Sequence, residues 1–389
     1  MTETHPSQSL VHIFSSVNAS VGGLNRLLPV DALRGFIILV MALDHANFFV
    51  ARQHPSLEHW GLPIPIYENG LNFLTRFITH LAAPGFFFLM GIGMLLFSQS
   101  RSEKGWAKWR IMRHFWLRGV LLILLQLLIV NRAWELSPDW GLNIYFGVLF
   151  ALGGAMILGS FLLWLKPSML LFLTLFLFIG TELIHPDPGQ WGSLNNDLAN
   201  LLLVLPAGDN TLWVNYPILP WFELVVFGMF FGHWLIAGDE KAYRRGLILG
   251  IVFLLLFLLL RWLDGFGNIR PKAGDGWIDF LNVIKYPPSM TFTLLAMGLN
   301  LTLLWIFNKL SARSQFLFPL AVFGQAPLFF YILHLFLYAI LGMLLFPEGS
   351  SIPIMAVYWI FGLVLLFPLT YFYGRFKAAQ PSGSIAKFF

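Results

Sequence analysis

Asp31, Arg34, Asp44 and His45 all stand inside one apolar stretch, VDALRGFIILVMALDHANFF, residues 30–49. An ionisable group in hydrocarbon is costly unless it meets a partner or a wet cavity, so each of these needs a reason to be there. On a helix at 100° per residue, Asp31, Arg34 and His45 point within about 60° of one another. They form one polar stripe. The eleven residues from Arg34 to His45 rise about 16 Å, which puts the guanidinium near one membrane face and the imidazole beyond the midplane. Asp44, about 100° round the helix from His45, is placed to orient a neighbour rather than to share its ligand. Asp31 and Arg34 also fit an i, i+3 pair that anchors the helix at the headgroups. Histidine ionises near neutrality and suits a general base or a nucleophile, and the sequence leaves both open.

Other polar residues fall at a similar depth. Arg76 and His80 occupy the outer part of the second apolar run, Glu223 the outer part of the sixth, and Lys285 with Tyr286 the outer mouth of the eighth. Costly groups converging from several helices predict a cavity. On the other face, KWRIMRHFWLRG offers Arg110, Arg113 and Arg118 with Trp109 and Trp116 between them. Arginine forks bind phosphate oxygens and aromatic faces stack on rings; a basic, aromatic membrane anchor reads the same way. His334, in FFYILHLFLYAI, has few polar neighbours and fits core packing, a helix-to-helix hydrogen bond or a site role. Gly228 and Gly232, four apart, permit close helix packing.

The elements that position these groups are membrane helices. Of 389 residues, 58% are hydrophobic, 17% aromatic and only 11% charged, and the mean hydropathy is +0.73. A water-soluble domain could not cover that much apolar surface. The expected fold is an all-α polytopic membrane protein, a bundle of about ten transmembrane helices. The apolar runs lie near residues 30–50, 72–97, 115–130, 142–165, 169–183, 217–237, 246–262, 288–307, 321–346 and 354–373. Arg101, Lys104, Lys108, Arg110, Arg113 and Arg118 stand against one acid, and Lys241, Arg244 and Arg245 cluster in a loop of the same parity. Both loops belong in the cytoplasm. Arg26, Arg375, Lys377 and Lys387 fall on that side too, so both termini are expected to be cytoplasmic. The opposite loops carry Glu58, Glu68, Glu135, Asp139, Asp187, Asp197, Asp209, Asp264, Asp275 and Asp279. The longer of them, 52–70, 185–216 and 263–286, predict short helices or lids.

Residues 1–25 read as a polar tail without a cleaved signal, 26–375 as the transmembrane domain and 376–389 as a second tail. The absence of cysteine removes disulfides and thiolate metal sites, and no metal is expected. The formal charge of +5 lies in short loops, where it sets orientation and does not suggest nucleic acid.

RLLPVDALRGFIILVMALDHANFF resembles the first helix of the heparan-α-glucosaminide N-acetyltransferase-like family, with its arginine, aspartate, arginine-glycine, apolar run and terminal histidine or asparagine. PILPWFELVVFGMFFG, KYPPSMTFTLLAMG and FGQAPLFFYILHLFLY resemble bacterial members, in order and at sensible spacing. The separation of Arg34 from His45 resembles that of the wider transmembrane acyltransferase superfamily, which includes the O-antigen acetylases. The likeness runs from about Arg26 to Tyr373. It implies a multi-pass protein of the bacterial inner membrane that takes an acyl group, most simply acetyl, from cytoplasmic acyl-CoA and delivers it to a hydroxyl or amine of a glycan on the far side. Members with asparagine at the position of His45 carry their histidine in the following outer loop, where His54 and His59 stand here. Which histidine is the base is left open.

On that reading a histidine takes the acceptor's proton, Arg76, His80 or Lys285 meets the oxyanion of the thioester carbonyl, and Asp44 or Glu223 orients an imidazole. Glu223, Lys285 and Tyr286 face the acceptor, an amino sugar or other glycan. Arg110, Arg113, Arg118 and Arg34 would hold the nucleotide phosphates, with the pantetheine arm threading toward His45. The bilayer is the remaining partner, and a homo-oligomer is left open. The rival expectation is a secondary transporter or glycolipid flippase that uses the same polar cluster; it predicts an inverted repeat, which the sequence does not display.

Overall fold

The computed structural model describes residues 27–55, 58–138, 140–190 and 197–381, with 384 and 386. The N-terminal tail, Arg26, Asp139 and Lys387 lie outside the described residues. The chain is an all-α polytopic membrane protein. Eight helices among the described residues are long and apolar enough to cross a bilayer, and Val148–Gly159 and Pro167–Leu183 are shorter apolar helices.

In chain order, α1 spans Leu28–Ala46 and runs on through a π turn, Asn47–Ala51. Helix α2, Gly70–Thr79, passes with a break at His80 and Leu81 into α3, Ala82–Glu103. Pro84 accounts for the break, since its ring crowds the carbonyl of residue 80 and it has no N–H to give. Helix α4, Lys108–Leu125, continues through a second π turn, Gln126–Val130, to Trp134. Then follow β1 Ile144–Phe146, α5 Val148–Gly159 and α6 Pro167–Leu183. Next come α7 Leu198–Leu203, β2 Ala207–Gly208, β3 Leu212–Val214, α8 Ile218–Ala237 and α9 Asp239–Leu263. The chain closes with α10 Trp277–Leu281, α11 Met290–Leu310, α12 Ser314–Gln325, α13 Pro327–Leu345 and α14 Ile352–Ala379.

Several boundaries differ from the sequence reading, and of the 142–165 run only Val148–Gly159 is α-helical, with Ile144–Phe146 in β1. Residues 321–325 belong to a separate α12, which ends where Ala326 leaves helical geometry before Pro327. The last helix runs to Ala379, so residues 376–379 are helical and not tail.

The bundle is drawn together where small residues let backbones touch. A Cβ on Gly228 of α8 would lie 2.0 Å from the Phe88 carbonyl oxygen of α3, and one on Gly91 would lie 2.0 Å from that of Val225. A Cβ on Gly232, one turn on, would lie no closer than 3.0 Å to the Leu95 side chain and 3.7 Å to the Ile92 backbone. Gly228→Val therefore forces two backbones apart, and its detergent melting temperature is expected to fall by the equivalent of about 1–3 kcal/mol. A melting curve matching wild type would show that the α3–α8 crossing yields freely.

On the face away from Arg101–Arg118, the predicted lids are real. Strands β2 and β3 of the 185–216 segment join β1, which falls in the run read as a span, in a small sheet that sequence periodicity did not show, β1 parallel to β3 and β2 antiparallel to it, with Tyr145 opposite Trp213. Strands of two or three residues carry no usable period. Arg261, at the end of α9 and 1% exposed, donates to the carbonyls of Asp279, Phe280 and Asn282 and to Asn268 Oδ1. It fixes the segment that leads into Ile284–Tyr286. There Tyr286 N donates to Glu58 O at 3.1 Å, and Trp60 N donates to Tyr286 O at 2.8 Å.

Candidate functional site

Arg76 is the hub of the polar cluster. It is wholly buried, and its guanidinium donates to Asp44 Oδ1 at 2.5 Å and to both oxygens of Glu58, with Nε to Oε1 at 2.9 Å. Thr79 Oγ1 lies 2.8 Å from Asp44 Oδ1, and His80 Nε2 lies 3.2 Å from Glu58 Oε1. The break after α2 places Arg76, Thr79 and His80 here, and the chain pairing at Glu58–Tyr286 brings in the loop carboxylate. Burial pushes the Glu58 carboxyl up, but the charges of Arg76 and His80 and their hydrogen bonds override that and hold it well below the usual carboxylate range. Its stabilisation is therefore present above the ordinary glutamate value of about 4.3 and is lost as pH falls through the lower folded value.

The imidazole that Asp44 faces is His54, with Nε2 3.4 Å from Oδ1. His45 is held by another partner. Its Nδ1 lies 2.7 Å from His334 Nε2, the two rings stack at 5.0 Å between centroids, and His334 Nδ1 lies 2.8 Å from the Phe330 carbonyl oxygen. Of the readings left open for His334, the structure gives the helix-to-helix hydrogen bond. Trp134, which the π turn in α4 swings inward, meets His45 edge-on at 5.5 Å. Trp134 stacks on Trp140 at 5.2 Å, and Phe48 packs edge-on against Trp134 and His54. The result is an aromatic wall beside both histidines.

His59 sits under the lid. Its Nε2 is 2.6 Å from Asn215 Oδ1, which leaves Asn215 Nδ2 to donate to the Tyr145 hydroxyl, and its ring stacks on Tyr286 at 5.0 Å. The Tyr286 hydroxyl is 3.1 Å from that of Tyr216. Lys285 is buried, with its ammonium 5.1 Å over the Tyr286 ring. Glu223 stands apart: its hydrogen-bond partner is Thr293, whose Oγ1 donates to Oε1 at 3.3 Å.

On the basic side, a cavity of about 300 Å³ runs between α1, α3, α4, α5, α12 and α13. Arg34, Arg118, Gln325 and Lys377 line one end; Met41, Phe86, Val148 and Tyr331 line the other; Met90, Met94 and Leu152 lie between. The walls are therefore apolar and the mouth is basic. Tyr331 at the deep end meets His45 edge-on, with centroids 6.1 Å apart. Arg34 pairs with Asp31 at 2.7 Å and also donates to Gly324 O, whereas the buried Nε of Arg118 finds no hydrogen-bond partner among the described residues. Arg113 is exposed and Arg110 stacks on Trp106 at 4.1 Å; neither lines the cavity. Lys377 beside Arg34 puts the end of α14 on the same face as the start of α1.

Of the residues singled out in the sequence, the structure gathers Asp44, Arg76 and His80 around Glu58, sets His45 against His334, and brings Arg34 and Arg118, but not Arg110 or Arg113, to the cavity. Thr79, Asn215, Tyr145, Trp134, Trp140 and Tyr331 were not singled out from the sequence, although the aromatic clustering at 134–145 was a signal for Trp134, Trp140 and Tyr145. The family model described as "Heparan-alpha-glucosaminide N-acetyltransferase, catalytic" matches residues 26–262. No curated protein matches the chain significantly.

Proposed function

Since the chain belongs to the heparan-alpha-glucosaminide N-acetyltransferase catalytic family, a family of membrane acetyltransferases, we propose that it moves an acetyl group from cytoplasmic acetyl-CoA to a hydroxyl or amine of a glycan held on the extracytoplasmic side. One observation carries this reading: the basic-mouthed apolar cavity ends beside His45, and His45 adjoins the polar cluster and aromatic wall under the lid. The Arg101–Arg118 face is then cytoplasmic, both ends of the bundle with it, and the membrane is the bacterial inner membrane.

Arg118 and Arg34 with Lys377 hold the pyrophosphate at the mouth, since guanidinium forks match phosphate oxygens. Arg113 and Arg110, further out on α4, meet the nucleotide beyond it. The pantetheine arm lies along the methionine-rich walls and brings the thioester to His45. The sugar lies against Trp134 and Trp140, whose rings offer rigid apolar faces. His45 Nε2 takes the proton of the acceptor O–H or N–H as its heteroatom bonds to the thioester carbonyl carbon. The C–S bond then breaks, and the thiolate leaves as CoA–SH with the proton from His45. Lys285, buried with its ammonium over the Tyr286 ring, is the cation assigned to the developing oxyanion. The scheme calls on no metal.

The test offers acetyl-CoA to purified protein in detergent, with and without amino sugars and glycans, and follows free CoA and acetylated product. Acceptor-dependent release supports the reading; tight CoA binding without release, or no binding, sinks it in favour of a transporter. Arg118→Ala is expected to weaken CoA binding at least about tenfold, the worth of a charge-assisted hydrogen bond, and more than Arg113→Ala does. Equal effects of the two would move the phosphate site out of the cavity.

A further inference from the structure

His334 lies in α13, beyond the stretch that the family comparison covers, and its ring is wholly buried. The hydrogen positions on both imidazoles follow from one acceptor. A backbone carbonyl only accepts, so the 2.8 Å contact to Phe330 O places a proton on His334 Nδ1. Among the described residues no carboxylate touches either ring, and an unpaired imidazolium at this depth would be a costly buried charge. His334 is therefore neutral, with its Nε2 bare and accepting. The proton in the 2.7 Å contact then belongs to His45 Nδ1. This leaves His45 Nε2 without a proton, and among the described residues it has no hydrogen-bond partner. His45 is half-buried where the rings around it are not.

We infer that His334 is a positioning residue: by accepting from His45 Nδ1 it fixes the His45 tautomer whose bare Nε2 faces the reacting atoms, through a chain that ends on the Phe330 carbonyl. A carboxylate commonly does this for a catalytic histidine; here a second neutral imidazole backed by a main-chain carbonyl does it without placing a charge in the membrane. When Nε2 takes the acceptor's proton, His45 becomes an imidazolium whose Nδ1–H still points at the His334 lone pair, so the charge formed in the step meets an acceptor already in place.

The inference rests on His45 as base, and two measurements separate the two claims. The first is ¹⁵N NMR of imidazole-labelled protein in lipid, with the His45 signals assigned by their loss in His45→Asn. It is expected to show a protonated Nδ1 and a bare Nε2 in wild type, and a switch toward the other tautomer in His334→Phe. The second is kinetics: His334→Phe is expected to lose on the order of 100-fold in kcat with CoA binding unchanged. His334→Gln, whose amide can donate to Phe330 O while its carbonyl accepts from His45, is expected to recover at least about a tenth of the wild-type rate. A His45 tautomer unaltered by His334→Phe, or a His45 that carries its proton on Nε2, overturns the inference. So does a Gln variant as slow as the Phe variant. An unaltered tautomer in His334→Phe overturns the role of His334 alone, whereas full activity in His45→Ala overturns His45 as base and the positioning role with it, whatever tautomer the wild-type spectrum shows.

Discussion

Replacing His45 by alanine is expected to lower kcat for acetyl transfer by about 10²–10⁴, the usual worth of a placed general base, while CoA affinity stays near wild type. The two effects separate because the phosphate end of the donor is far from the chemistry: Arg34 and His45 are eleven residues apart on α1, a rise of about 16 Å. Truncating the imidazole therefore touches only the thioester end of the bound donor. The measurement is a pair of curves, CoA binding by calorimetry and product formation at saturating acetyl-CoA. A fall in affinity as large as the fall in rate would mean that His45 holds the donor and does not act on it. An unchanged rate would send the search to His54, which faces Asp44, and to His59, which is held by Asn215.

The second large effect is on folding. Arg76→Met would leave Asp44 and Glu58 buried with their shared counter-charge removed, and breaking a buried pair in this way costs about 3–5 kcal/mol. The variant is expected to melt far below wild type in detergent or to fail to accumulate. Its remedy is specific: adding Asp44→Asn and Glu58→Gln to Arg76→Met removes the orphaned charges, and the triple variant is expected to regain much of the lost stability without regaining activity. A triple variant no more stable than Arg76→Met would show that the guanidinium's packing, and not its charge, holds α1, α2 and the 58–60 segment together.

The bundle was legible because lipid permits little besides helix for a long apolar run, and most of the ten runs read from composition lie on helices; the 142–165 run holds β1 before its helix, and the 321–346 run divides between α12 and α13. What did not show was where helices are interrupted. The gap between α12 and α13 is silent in hydropathy, although Pro327 marks it, and the π turns after His45 and before Trp134 carry no signature of their own. The site was half legible for a related reason. Asp44, His45 and Arg76 are conspicuous because charge in hydrocarbon is rare, but their pairing depends on crossings between helices that lie far apart in sequence. Asp44 was expected to orient an imidazole and faces His54. His45 is oriented by His334, 289 residues away. Glu223 looked like a member of the cluster by depth alone, yet its partner is Thr293. Depth along a helix can be read from spacing; which helices are neighbours cannot.

The Arg76 hub has an electrical consequence. Asp44 and Glu58 are matched in number by Arg76 and Lys285, so with neutral histidines the partition between the basic cavity and the lid carries no net charge. A transmembrane voltage acts on net charge at about 2.3 kcal/mol per 100 mV for each elementary charge moved, and it finds none to pull on here. On the proposed scheme the donor's phosphates would stay at the mouth, and the group passing His45 would be a neutral acetyl. Such a turnover would not draw on the membrane potential, and a septum that carried out this chemistry would also be the insulator that keeps ions from following the acyl group across.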